Sequence, residues 1–153
     1  MIREIKFRGK CINNHFEKAD GGYKIPKGSF VYGSLVLDCN KKPSIDVQGY
    51  IDGIGFHSSY DVDADTVGQF TGLHDKNGKE IYEGDILKVY YYGKSKVFGV
   101  VRFSESRFFI DDAFMRNDLK VKAPMAELFS DYQFEVVGNI YDDRRLLKND
   151  ASE

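Results

Sequence analysis

The pair Asn77-Gly78, inside Asp75-Lys76-Asn77-Gly78-Lys79, constrains the fold of this chain more than any other feature. Asn-Gly is the strongest two-residue turn signal, because a type I′ turn needs φ > 0 at both central positions. It predicts a tight turn of that type after Gln69-Phe70-Thr71. Two more reversals follow at once. Glu83-Gly84-Asp85 turns the chain ahead of a strand over Ile86–Tyr92, and Tyr92-Gly93-Lys94-Ser95 returns it as a partner strand over Val97–Phe103. Arg107–Ile110 extends this meander.

The rest of the chain reads the same way. Ile2–Phe7 alternates as a strand, with an imperfect pattern. Residues 8–28, with Asn13-Asn14, Gly21-Gly22 and Pro26, form a long surface loop or a small hairpin. Phe30–Leu37, Ser44–Tyr50, Ile51–Phe56 and Gln133–Tyr141 read as further strands. The 10 Tyr, 12 Phe and 15 Gly against 3 Pro suit pleated surfaces joined by tight turns. One short helix is expected over Pro124–Phe129, since Pro suits a first helical position. Residues 111–120 fit neither state. Both apolar faces of Ile86–Tyr92 and Val97–Phe103 call for a core on one side and a second cover on the other. The expected fold is mainly β: a compact, barrel-like meander of the small SH3 type with one helix in the C-terminal half. With 153 residues and no internal repeat, one domain over 1–145 is expected, followed by a charged tail over 146–153.

Two cysteines, Cys11 and Cys39, are too few for a secreted disulfide scaffold. The opening Met-Ile-Arg-Glu-Ile-Lys-Phe-Arg has no apolar core of a signal peptide, and no window suits a membrane span. Both features predict a cytoplasmic protein away from membranes. The net charge of −2 is near balance, but its distribution is uneven. Residues 1–42 hold nine Lys/Arg against four Asp/Glu, whereas 43–86 hold two against nine. Such asymmetry can steer charged partners, or can vanish once the signs mix on a folded surface.

Chemical motifs fail on inspection. Asp61-Val62-Asp63-Ala64-Asp65 begins like a calcium loop, but Thr66 and Gly72 stand where that loop needs Gly and a bidentate Glu. Gly72 to Lys79 has five residues between its glycines, and Glu80 follows where a phosphate loop needs Ser or Thr. Gly53-Ile54-Gly55 lacks the third glycine of a dinucleotide site, with Ser58 in its place. Cys11 and His15 are the only close pair of zinc-type ligands, and zinc needs paired ligands at repeated spacing. No catalytic residue, metal or cofactor is assigned. A candidate partner or nucleic-acid surface does stand out: Tyr90, Tyr91 and Tyr92 beside Lys94, Lys96 and Arg102 on one hairpin, with Lys88 nearby. Aromatic stacking in a basic groove is how small barrels hold single strands. The bland alternative makes the tyrosines core and the lysines a solvated tip.

The run Asp61–Leu73, continuing His74-Asp75-Lys76-Asn77-Gly78-Lys79-Glu80-Ile81-Tyr82-Glu83-Gly84-Asp85-Ile86, closely resembles the signature of the YopX-type phage and prophage proteins. Arg3–Lys10 is similar to that family's start, Val31-Tyr32-Gly33-Ser34-Leu35 to its second block, and Glu135–Tyr141 to its close. Phe30 stands where a Trp often occurs, and Asp142-Asp143-Arg144-Arg145 replaces an Asn-Pro type of ending. The resemblance implies a phage or prophage origin inside a bacterial host cell, a β-rich barrel-like fold and self-association, without implying an activity. Within the signature, Gly72, Gly78 and Gly84 suit bends, and Asp75, Asn77 and Asp85 suit hydrogen bonds to turn backbone. Tyr82 adds core. These residues are expected to specify fold. The functional expectation is a non-catalytic accessory protein acting through a host or phage protein or as a homo-oligomer; the alternative is a small-barrel nucleic-acid binder.

Overall fold

The structure is a computed structural model that describes residues 4–17, 23–51, 53–91, 94–115, 119–125 and 132–147. Nearly all regular structure among them is antiparallel β. The chain divides into two compact units, Met1–Phe70 and Thr71–Glu153. Among the described residues, each unit gathers a hydrophobic cluster of its own.

The first unit holds β1 (Phe7–Lys10), the hairpin β2 (His15–Glu17) and β3 (Tyr23–Ile25), then β4 (Phe30–Leu37), β5 (Pro43–Ile51) and β6 (Ile54–Asp61). β7 (Gly68–His74) starts here and runs across the boundary. The sheet order is β6-β5-β4-β1-β7. Period-two alternation sends Val31, Ile45 and Tyr60 inward, where they pack with Cys11 and Val62. Gly33 in the Val-Tyr-Gly block has a steric reason: a Cβ there would stand 2.1 Å from the Asp46 carbonyl oxygen. β1 begins at Phe7 rather than Ile2. Glu4–Lys6 are not strand, and residues 1–3 lie outside the described residues. The polar stretch 8–28 contains the small hairpin, with 18–22 outside the description.

The second unit contains β8 (Glu80–Tyr82), which pairs with the end of β7, followed by β9 (Asp85–Tyr91), β10 (Lys94–Ser104), β11 (Arg107–Met115), β12 (Leu119–Pro124) and β13 (Tyr132–Asn139). Its five-stranded sheet has the order β12-β11-β10-β9-β13. Leu87, Val89, Val101, Ile110 and Phe134 face one core with Ile81 and Met125. Ile86 and Val100, on the opposite face, are also fully buried, as the two-faced apolar pattern requires. A 3₁₀ turn over Arg144–Leu147 lies against β10, so the charged ending is ordered that far.

Two expectations need correction, and a third falls mostly outside the described residues. Among the described residues the strands form open sheets rather than a closed barrel, because the end strands β6 and β8 of one sheet and β12 and β13 of the other each pair on one side only. Of the expected helix over Pro124–Phe129, Pro124 ends β12 opposite Phe109, Met125 is helical, and 126–129 lie outside the described residues. The turn at Asn77-Gly78 is not type I′. Gly78 has φ 81°, but Asn77 is not left-handed. Gly78 N–H donates to the Asp75 carbonyl at 3.0 Å and Asp75 N–H to that of Lys79 at 2.8 Å, which makes a three-residue loop of type I with a left-handed glycine.

Candidate functional site

The signature block builds its turns around two buried carboxylates. Asp75 accepts from the backbone N–H of Asn77 (2.8 Å) and Lys79 (2.9 Å) through one oxygen, and from that of Val136 (3.0 Å) through the other. Burial pushes this carboxyl up, but the N–H donors of Val136, Lys79 and Asn77 outweigh it and hold the group below its usual range. Asp85 accepts from Tyr82 N–H at 2.8 Å, and the Tyr82 hydroxyl donates to Glu80 at 2.6 Å. Gly84, at φ 85°, donates to the Val101 carbonyl and accepts from Ile140 N–H, both at 2.9 Å. Gly72 also takes a left-handed conformation, φ 85°, within β7. Charge and hydrogen bonding at Asp75 and Asp85 are thus directed at the protein's own backbone.

The tyrosine-rich hairpin forms where expected, with Lys94 opposite Tyr91 and Ser95 opposite Tyr90. Tyr90 is occupied. Its hydroxyl donates to Glu135 Oε2 at 2.5 Å, Lys76 Nζ lies 4.0 Å from its ring centroid, and Lys88 Nζ lies 5.5 Å away. Lys76 also pairs with Glu135 at 2.8 Å. That contact, then the Tyr90 hydroxyl, lowers the Glu135 carboxyl, and Glu135 in turn raises the Lys76 amine. Arg102 is not brought to this cluster: it lies seven residues beyond Ser95 on β10, about 23 Å at ~3.3 Å per residue. Tyr92, and the side chains of Tyr91, Lys94 and Lys96, lie outside the description.

A second surface was not anticipated from the sequence. On the outward face of the first sheet, Arg8 and Lys10 sit 4.5 and 5.3 Å from the Phe30 ring, and Lys6 sits 5.6 Å from that of Phe70. Tyr32 and Val36 on β4 follow, 45% and 42% exposed. Beyond them, Asp46 on β5 meets His57 on β6 at 3.2 Å. The Ser59 hydrogen bond, then partial burial acting against it, then His57 leave the Asp46 carboxyl below its usual range. Arg8 is only 5% exposed and Lys6 already pairs with Glu4 at 3.2 Å, so the open part of this face is the apolar pair Tyr32 and Val36 beside Asp46 and His57. The signal was the spacing of Lys6, Arg8 and Lys10 at every second residue, which gains meaning only once β4 is known to lie between β1 and β5.

Among the described residues, no three His, Cys, Asp or Glu side chains group as metal ligands. Asp63 accepts from Asp65 N–H at 3.0 Å and caps a 3₁₀ turn over Ala64–Thr66. Cys11 is buried, which pushes its thiol up, and the His15 ring packs edge-on against Tyr60 at 4.9 Å. No helix among the described residues is long and apolar enough to cross a membrane.

Fold and surfaces together define an antiparallel β protein whose buried acids build turns and whose first sheet exposes Tyr32 and Val36 on its outward face. Residues 28–148 match the YopX protein family, and the chain belongs to that family. Among solved structures it is similar to protein EF1440 from Enterococcus faecalis, with TM-score 0.55 and 22% identity over 94% of this chain and 98% of that one, a likeness of fold. No curated protein gives a significant match.

Proposed function

We propose that this chain is a non-catalytic phage or prophage accessory protein, working in the cytoplasm of a bacterial host through protein–protein contact, self-assembly included. The phage origin rests on the family resemblance. The contact role rests on one observation: Tyr32 and Val36 stand exposed on the outward face of the first sheet, with Asp46 and His57 beyond them. An aromatic and a branched apolar side chain held on a rigid strand present contact area with little further entropy to lose on binding. Asp75 and Asp85, being held by backbone N–H groups, fit a structural task.

The test is affinity capture of the tagged protein from host lysate, with and without nuclease, read by mass spectrometry. A discrete protein retained after nuclease, and lost with Tyr32→Glu, is the expected result. The rival reading places single-stranded nucleic acid on the Tyr90–Arg102 hairpin and draws on the lysines at the Tyr90 ring. Capture that vanishes with nuclease, together with salt-dependent binding weakened by changing Lys94, Lys96 and Arg102 to Glu, would put that reading first.

A further inference from the structure

We propose that Asn77-Gly78 is a site of spontaneous covalent modification: the Gly78 nitrogen closes on the Asn77 side chain to a succinimide, which opens to aspartate or isoaspartate, and the folded turn restrains this step through Asp75. The inference goes beyond the contact role above and does not depend on it.

Asn77-Gly78 is the only Asn-Gly pair in the sequence. With no Cβ, Gly78 leaves its own backbone nitrogen open to approach. A Cβ built there would meet nothing within 4 Å, and both residues are exposed to water. An amide nitrogen is a poor nucleophile while it keeps its proton, because its lone pair is delocalised into the carbonyl. Once solvent base removes that proton, the nitrogen attacks Asn77 Cγ. A C–N bond forms, the Cγ–Nδ2 bond breaks, and ammonia leaves with the proton. Water then adds to one carbonyl of the five-membered ring. Opening at Cγ leaves aspartate, and opening at the main-chain carbonyl leaves isoaspartate.

The turn opposes the first step at both ends of the reacting residue. Gly78 N–H, whose proton must go, donates to the Asp75 carbonyl at 3.0 Å, and Asn77 N–H donates to Asp75 Oδ1 at 2.8 Å. Bringing the Gly78 nitrogen onto Cγ requires rotation about ψ of Asn77, which these two bonds resist. Reaction therefore proceeds from the opened turn, and its rate reports how often Asp75 lets go.

The modification acts back on the fold. Isoaspartate carries the main chain through the former side chain and lengthens it by one methylene between residues 77 and 78. The three-residue loop then cannot keep its closing bonds, Asp75 N–H to the Lys79 carbonyl at 2.8 Å and Lys79 N–H to Asp75 Oδ1 at 2.9 Å. The same loop is tied to β13 by Lys76 N–H on the Phe134 carbonyl at 2.8 Å and Val136 N–H on Asp75 Oδ2 at 3.0 Å. Conversion at residue 77 thus loosens β13.

The test is incubation of the full chain at mildly alkaline pH, folded and in guanidinium, with conversion at each Asn read by peptide mass spectrometry. Deamidation adds one mass unit, which separates it from Asp20-Gly21 and Asp52-Gly53, whose isomerisation leaves the mass unchanged. Conversion should be fastest at Asn77 in the unfolded chain and at least tenfold slower there in the folded one, since opening must break both bonds to Asp75. Asp75→Ala, shown to be folded by near-UV circular dichroism, should lose most of that protection; if it does not fold, the folded-against-unfolded comparison decides. Equal rates in the folded and unfolded chain overturn the restraint, and an Asn77 that stays intact when unfolded overturns the site. Separated isoaspartyl protein should show faster amide exchange in β13 than Asn77→Asp, which carries the charge without the added methylene. Equal exchange in the two overturns the link to β13.

Discussion

Asp75 shows how one side chain ties distant segments together. It joins the turn at 75–79 to β13 through Val136, 61 residues away. Its carboxyl is lower in the folded chain than in the unfolded one, where about 3.9 is expected. The stability this supplies is therefore present above the unfolded value and is lost as pH falls through the lower folded value. Asp75→Asn keeps one acceptor oxygen but offers an amide N–H₂ where Val136 N–H needs an acceptor. A loss of about 2–3 kcal/mol is expected in urea unfolding at pH 7. Between pH 5 and pH 2, roughly the range of carboxyl titration, the variant should lose less stability than the parent. A variant with the same acid dependence as the parent would show that Asp75 is not the group responsible. The local half of this role is legible in Asp-x-Asn-Gly spacing. Its long-range half is not, because nothing in the residues near 75 names Val136 as a donor.

At the scale of an element, the hairpin joining β10 and β11 reverses the expectation for turns. Glu105 and Ser106, at φ 52° and 64°, form the two-residue link with both positions left-handed, the geometry expected of Asn77-Gly78. Neither residue favours that conformation, which costs roughly 1–2 kcal/mol for an ordinary L-residue. The pairing of Ser104 with Arg107 and the edge contact of Phe103 with Phe108, 5.0 Å between ring centroids, hold it in place. Replacing Ser106 by Gly should raise stability by about 0.5–1 kcal/mol, read as a thermal midpoint about 1–4 °C higher. A lower midpoint would mean that the serine has a role the strain conceals. Strand positions were legible because alternation is local. Turn geometry was not, because strand pairing imposed it from outside the turn residues.

At the scale of the molecule, the presence of two cores is the property least visible in the sequence. Alternation marks which residues of Phe30–Leu37 or Val97–Phe103 are buried, but not which cluster each joins; that depends on pairings such as β1 with β4 and β9 with β13. Ile45 and Ile110, both fully buried, belong to different clusters. Truncating either to Ala should cost about 2–5 kcal/mol. Amide exchange read by mass spectrometry should accelerate mainly within Met1–Phe70 for Ile45→Ala and within Thr71–Glu153 for Ile110→Ala, whereas uniform acceleration would make the two a single cooperative unit. The pairing of β13 with β9 also has a consequence during synthesis on the ribosome. At about 5–20 residues per second, several seconds separate translation of Asp75 from that of Val136. Through that interval Asp75 has only its local donors, and the row of backbone groups on β9 awaits its neighbour. The nascent second unit is therefore at its most aggregation-prone just before its final strand leaves the exit tunnel, while the first unit's strands have already emerged.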